Sequence, residues 1–305
     1  MNVFIIGGTG YVGRQILRDL VNAGHQVTCL LRNGSEKKIP DECTASVQMI
    51  PGDLEDEDSL RKGIRNAEAV IYLPGLVREF PTLGLTNRRI VLEGAKRVID
   101  LAVRNNVKKF LLMSANGVKS GSGIGYQESK YEAEEYLKRS NLLWTIFRPS
   151  IIFGNESEGL MNFIQVIKDL LTLAPFVVPV IGDGKYRFQP ISIYNVSEGF
   201  IKSLTHTESQ GKTYHLGGPE MYSYNEILEI VGEIYGTKKI KIHQPLFLMK
   251  PLIHLMETFP FFPISTAQLN MLLEENIVPD WKRYFNDLRI HPISFREGLK
   301  KSTSQ

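Results

Sequence analysis

Residues 2–17 read NVFIIGGTGYVGRQIL, and this stretch decides how the rest of the chain is interpreted. An unbroken apolar run ends at Ile6 and is followed by glycines at 7, 8, 10 and 13. Val12, Ile16, Leu17 and Leu20 then recur at the spacing of one helix face. Strand, glycine turn and amphipathic helix in that order make a cradle for a pyrophosphate. Gly7 permits the tight turn, Gly10 lets the backbone approach the phosphates, and Gly13 lets helix pack closely on strand. The helix N-terminus supplies N–H groups and the positive end of its dipole. A dinucleotide is the expected ligand.

Working outward, apolar runs and helical patterns alternate: VTCLL, VQMI, AVIYL, Leu85 to Val103, KKFLLM, Tyr126 to Leu137 and WTIFR. Strands separated by helices of this length predict a parallel sheet covered on both faces. The fold class expected is therefore α/β, a Rossmann-type doubly wound parallel sheet over residues 1–153. A smaller mixed substrate or lid domain is expected over 154–305, with segments of the two free to interleave. In that second half, helices are expected at Gly159 to Leu173, Asn195 to Leu204 and Tyr224 to Tyr235. An Asp183-Gly184 turn is expected between strand-like pieces.

The chain has 305 residues, 43% of them hydrophobic and 23% charged, with a formal net charge of +3. Those values exclude the disordered and fibrous classes. The cations are scattered among acids, so nucleic acid is not implied. Cys29 and Cys43 lack CxxC spacing, and the six histidines are isolated, so neither a disulfide framework nor a metal site is expected. The N-terminus enters a strand at once, and no apolar run reaches membrane-spanning length; a cytoplasmic protein is expected.

The second strand ends at Arg32, followed by Asn33 and Lys37-Lys38, where an acid would hold the ribose of NAD. A guanidinium suits a 2′-phosphate, so NADP(H) is expected over NAD(H); the competing reading is a solvated surface cation. Asp53 follows the third strand and either accepts a bond from the adenine amino group or caps the next helix. Leu73-Pro74-Gly75, after the fourth strand, is expected to form an apolar shelf beside the cofactor.

Tyr126 and Lys130 stand four apart on one helix face in GYQESKYEAE. An ammonium near a phenol favours the phenolate, whose unperturbed pKa of about 10 is otherwise too high for proton transfer near neutrality. Glu128, Glu132, Glu134, Glu135 and Lys138 mark what reads as the solvated face of that helix.

With GGTGYVG, this Tyr-Lys pair and RPSIIFG (Arg148 to Gly154) in place, the chain resembles the short-chain dehydrogenase/reductase superfamily, in its extended or atypical branch. RFQPISIYNVSEGF, YHLGGPE and FPFFPISTAQLNMLLEENI are similar to the atypical group that includes the nucleotide-binding accessory subunit of respiratory complex I and its bacterial relatives. The resemblance implies that Tyr126 exchanges a proton with a substrate carbonyl or alcohol while hydride moves at the nicotinamide. It also implies that Lys130 binds the nicotinamide ribose and lowers the tyrosine pKa. The cofactor contacts expected are Gly7, Thr9, Gly10, Tyr11, Val12, Gly13, Arg32, Asp53, Leu54, Leu73, Pro74, Gly75, Ser114, Tyr126, Lys130 and Pro149; the catalytic set is Tyr126, Lys130 and Ser114.

Two departures weigh against turnover. Ala115 stands where the family places its substrate-binding serine or threonine, with Ser114 one position early. Val91 stands where a supporting asparagine is usual. Two functions follow: an NADP(H)-dependent oxidoreductase or epimerase-like enzyme, or a non-catalytic NADPH-binding protein of a respiratory-type complex. The apolar stretch 245–263 is expected either as a core or lid helix or as a contact for a partner or membrane surface.

Overall fold

The structure is a computed structural model and describes residues 1–76, 78–154, 162–257, 259 and 265–303. The chain first lays down β1 (Asn2–Ile6), α1 (Tyr11–Asn22), β2 (Gln26–Leu31), β3 (Val47–Pro51), α2 (Glu57–Ile64) and β4 (Ala69–Tyr72). It continues through α3 (Gly94–Arg104), β5 (Lys109–Met113), α4 (Gly125–Lys138) and β6 (Leu143–Pro149). Next come β7 (Ile152–Phe153), α5 (Phe163–Thr172), β8 (Val177–Ile181), β9 (Arg187–Phe188), β10 (Ile191–Ser192), α6 (Ile193–Ser203) and β11 (Lys212–Leu216). The remainder is β12 (Tyr222–Ser223), α7 (Tyr224–Ile234), β13 (Ile240–Gln244), α8 (Leu246–Met256), α9 (Thr266–Leu273), α10 (Trp281–Leu288) and α11 (Phe295–Thr303). Among the described residues no helix is long and apolar enough to cross a membrane.

Two compact units result. The first comprises Met1–Pro149, Ile193–Leu216 and Asp280–Pro292; the second comprises Ser150–Ser192, Gly217–Pro279 and Ile293–Gln305. The expected boundary at 153/154 thus lies at Pro149–Ser150, and α6, β11 and α10 return to the first unit. The sequence reading groups YHLGGPE and the helix before it with the smaller domain while leaving segments free to interleave; here Tyr214–Leu216 falls in the first unit and Gly217–Glu220 in the second.

In the first unit seven strands form one parallel sheet in the order β11-β6-β5-β4-β1-β2-β3. The chain winds outward from β1 through β2 to β3, then crosses back to begin again at β4. The topological switch therefore falls between β1 and β4, where the crevice of a doubly wound sheet opens. Register aligns the strand exits: Ile6 pairs with Tyr72, Tyr72 with Leu112, and Met113 with Phe147. Gly7, Leu73 and Met113 consequently stand side by side at the carboxyl edge.

One face of this sheet buries Phe4, Ile6, Val70, Tyr72 and Phe110 against α2, α3 and α4. Phe147, Phe200, Tyr214 and Tyr284 stack in another cluster, with the Tyr284 hydroxyl donating to the Asn195 carbonyl at 2.7 Å. The helix expected from Leu85 begins as a π-helical stretch, Arg88–Glu93, before α3. Its shifted register leaves the Ile90 carbonyl to accept from the Tyr72 hydroxyl at 2.7 Å.

The second unit has its own core, including Phe153, Ile164, Ile167, Val180, Phe188, Ile227 and Phe295. Buried Gln189 staples it, donating to the Gly218 carbonyl and accepting from Val278 N–H, both at 2.7 Å. The Asp183-Gly184 turn is present, with Gly184 at φ +66°, but it does not close a hairpin: β8 pairs with β13 and β9 with β12. Only part of the helix expected from Gly159 is described, as α5; residues 155–161 lie outside the described residues.

Candidate functional site

The glycine loop is built by contacts that only glycine permits. A Cβ on Gly13 would lie 2.1 Å from the Gly7 carbonyl oxygen, and one on Gly8 would lie 2.7 Å from Cys29 Sγ. Gly7 takes φ +87°, and its carbonyl accepts from Gly10 N–H at 3.1 Å. Gly10 differs: a Cβ there would meet only the Gly7 carbonyl, at 3.3 Å, and otherwise open space. Gly10 is also the N-cap of α1, without a side-chain cap bond, and the first turn carries no acid. An uncapped N-terminus beside open space has the donors and dipole to receive phosphate. Thr9, Tyr11 and Val12 line this loop, half-buried. Arg14, on the next helix position, holds a buried Nε with no hydrogen-bond partner; sequence reasoning passed over it, although it directly follows the third glycine.

At the end of β2, Arg32 is exposed, and its guanidinium pairs with no acid among the described residues. Asp53 Oδ1 accepts from the N–H groups of Glu55 (2.8 Å) and Asp56 (3.1 Å), while Asp56 caps α2. Asp53 therefore shapes the turn ahead of the helix, and the capping half of its expected role belongs to Asp56. Leu54 packs toward Gly94 on α3, where a Cβ would lie 2.8 Å from Leu54 Cδ1.

The shelf and the Tyr-Lys pair come together. A Cβ on Gly75 would lie 3.6 Å from the Tyr126 hydroxyl and 3.7 Å from Lys130 Nζ. Lys130 is 1% exposed, and its Nζ donates to the carbonyls of Pro74 (2.9 Å) and Met113 (2.6 Å). Burial is the main force on it, outweighing the attraction of Glu134, and lowers its pKa to about 7. A neutral amine still has two N–H groups, enough for both carbonyls. Burial also pushes the Tyr126 phenol up to about 12. The lowering of the tyrosine pKa expected from the pair does not appear: burial raises the phenol, and the same burial weakens the charge on Lys130.

Ser114 is buried, and its hydroxyl donates to the Glu134 carboxylate. Glu134, read in the sequence as part of a solvated helix face, is 0% exposed. Arg148 from β6 holds it through two bonds, Nε at 2.8 Å and Nη2 at 2.5 Å, with Lys138 at 3.8 Å. The sequence signal lay in its spacing, four residues past Lys130, but the bidentate countercharge comes from β6. Pro149, buried at the end of β6, accepts from Asn116 N–H at 2.8 Å through its carbonyl. Ala115 is half-buried and Val91 is buried in the π-helical stretch; neither offers a polar group.

The sequence profile of the NAD(P)H-binding family matches residues 7–169, which run from the glycine loop past the Tyr-Lys pair. The chain belongs to that family. It is 25% identical over 294 residues to the 40 kDa subunit of mitochondrial NADH-ubiquinone oxidoreductase from Neurospora crassa, covering 94% of this chain and 75% of that protein. It is 28% identical over 250 residues to the photosystem II assembly factor Ycf39 of Trieres chinensis, covering 82% and 74%. These matches bear out the resemblance to the atypical short-chain dehydrogenase/reductase group with the complex I accessory subunit. In fold the chain is similar to UDP-glucose 4-epimerase from Thermotoga maritima (TM-score 0.75, 17% identity, 100% and 98% covered). It is also similar to an epimerase from Methanothermobacter thermautotrophicus (TM-score 0.77, 19% identity, 99% and 91% covered).

Proposed function

We propose that this NAD(P)H-binding protein takes NADP(H) and holds it as a component of a larger protein assembly, without turning over a substrate. The observation that carries the reading is the Ser114 hydroxyl bound to buried Glu134, with Ala115 beside it. No serine or threonine hydroxyl from the β5 exit is left to polarise a substrate carbonyl next to Tyr126. The names of the relatives, a subunit of NADH-ubiquinone oxidoreductase and a photosystem II assembly factor, support a role among protein partners.

The residues of the site fit the cofactor. Gly7, Gly10, Gly13 and the uncapped start of α1 would hold the pyrophosphate, Arg32 the 2′-phosphate, and Lys130 with the Pro74-Gly75 shelf the nicotinamide riboside. The bound nicotinamide supplies hydride chemistry; the chain supplies binding and orientation.

The convergence of the Tyr126 hydroxyl and Lys130 Nζ beside Gly75 favours a second reading, an NADPH-dependent reductase. At neutral pH Tyr126 carries its proton, the state needed to donate to a carbonyl rather than to accept. Mass spectrometry of the ligand retained on purification, with a screen of aldehydes, ketones and sugar nucleotides read by NADPH oxidation, separates the two. Retained NADPH without turnover is the expected result. Turnover that drops about 100-fold or more in Tyr126→Phe would replace the first reading with the second.

A further inference from the structure

The second unit exposes an apolar surface that its own core leaves uncovered. On α8 only Ile253 is buried, whereas Phe247 is 75% and Leu255 69% exposed, with Leu248 and Leu252 also open. Of the readings given to this stretch, a buried core helix is not what α8 forms; residues 258 and 260–263 of the stretch lie outside the described residues. Leu248, Leu252 and Leu255 follow i, i+4, i+7 spacing and make one stripe, with Phe247 and His254 along one side of it and Lys250 farther round the helix. β13, which leads into α8, adds exposed Ile240 and Ile242 on one strand face. Phe176, 76% exposed, joins them at the far end of β13, its carbonyl accepting from Ile240 N–H at 2.9 Å.

Along the chain, cations outnumber acids around this surface. Between Glu233 and Glu274 the only acid is Glu257, while Lys238, Lys239, Lys241, Lys250, His243 and His254 fall in the same span. Lys241 is neutralised by Glu229, and Glu257 sits against His254 and the Thr266 N–H. Asp183 and Glu275 line the open groove at the foot of α8. Lys238 and Lys250 pair with no acid among the described residues.

We propose that this surface, α8 with β13, docks the protein onto a lipid bilayer that contains anionic headgroups. Leucine, isoleucine and phenylalanine beside lysine are what a headgroup boundary accepts: the apolar chains enter the acyl region and the ammonium groups meet phosphate. Protein interfaces are instead depleted in lysine, and of the types enriched in them α8 and β13 carry phenylalanine and methionine but no tyrosine, tryptophan or arginine. A helix of 11 residues is about 16 Å long, roughly half of a bilayer core, so α8 lies in the interface plane rather than crossing it.

The test is co-sedimentation of the full chain with vesicles of phosphatidylcholine alone and with added phosphatidylglycerol, in low and high salt. Binding is expected to the phosphatidylglycerol vesicles and to weaken in high salt. Lys238→Glu/Lys250→Glu should reduce it by about fivefold or more per lysine. Leu252→Glu/Leu255→Glu changes only exposed positions and should abolish it while circular dichroism and melting stay as in the parent. Equal binding by parent and leucine variant, or no binding to either vesicle, would overturn the proposal. A dimer in sedimentation that the leucine variant dissolves would also overturn it, because the surface would then be covered by a second copy.

Discussion

Gly10 and Gly13, three residues apart at the start of α1, do different work, and substituting each separates packing from ligand binding. A Cβ on Gly13 would lie 2.1 Å from the Gly7 carbonyl oxygen and 2.7 Å from Gly8 Cα. Both obstacles are backbone, so Gly13→Ala must push α1 away from the loop. Overpacking of this kind costs about 1–3 kcal/mol, a fall in melting temperature of roughly 2–4 °C for each kcal/mol in a chain of this size. At Gly10 the backbone is at φ −77° and ψ 171°, a conformation valine adopts freely, and a Cβ meets only the Gly7 carbonyl at 3.3 Å. The Gly7 carbonyl must yield by a little and valine is a poorer N-cap than glycine, so Gly10→Val should cost about 1 kcal/mol and still fold. Its branch occupies the open side of the loop, where the pyrophosphate must approach, and calorimetric titration should show NADPH affinity down by about tenfold or more. Differential scanning of the ligand-free variants and titration with NADPH give the two readouts independently. Parent-like affinity in Gly10→Val would refute the phosphate seat. A parent-like melting temperature in Gly13→Ala would refute the close approach of α1 to the loop.

Arg32→Ala should lose most of any preference for NADPH over NADH, about 1.5–3 kcal/mol for a charge-assisted bond, and equal affinities in the parent would remove the 2′-phosphate role. Lys130 holds its proton up to about pH 10.5 when unfolded but only below about 7 in the fold. The unfolded chain thus binds more protons between those values, so its contribution to stability is present at high pH and is lost as pH falls toward 7. The slope is about 1.4 kcal/mol per pH unit, and urea denaturation of Lys130→Met between pH 7.5 and 9.5 should be flatter than the parent by that amount. Arg148→Met leaves the Glu134 carboxylate buried without its partner and should destabilise by about 3–5 kcal/mol; adding Glu134→Gln should recover a large part, and additive losses would refute the pairing.

Much of the first unit was legible in residues 2–17 and in the alternation that follows, because strand and helix periodicity and the steric permission of glycine are local properties. Gly7 and Gly13 needed no knowledge of the rest of the chain: their spacing alone specifies a tight turn against a helix start. The partners of each element were not legible in the same way. Lys212–Leu216 reads as a short strand anywhere, and only its pairing with β6 made it the seventh strand of the main sheet. Glu134 belongs to a helix whose charges look solvated in sequence; folding set Arg148 and Ser114 against it and turned a surface acid into the centre of a buried network. The same network holds the Ser114 hydroxyl, and burial, which no local pattern reports, raised the Tyr126 pKa that the spacing to Lys130 was expected to lower. Apolar α8 carried the signature of a core helix, since hydrophobicity in sequence records what a segment can bury but not whether its own chain covers it. Local stereochemistry thus determined the elements and the glycine loop, while long-range burial and countercharge, set only once distant strands meet, decided the surroundings of the side chains at the site.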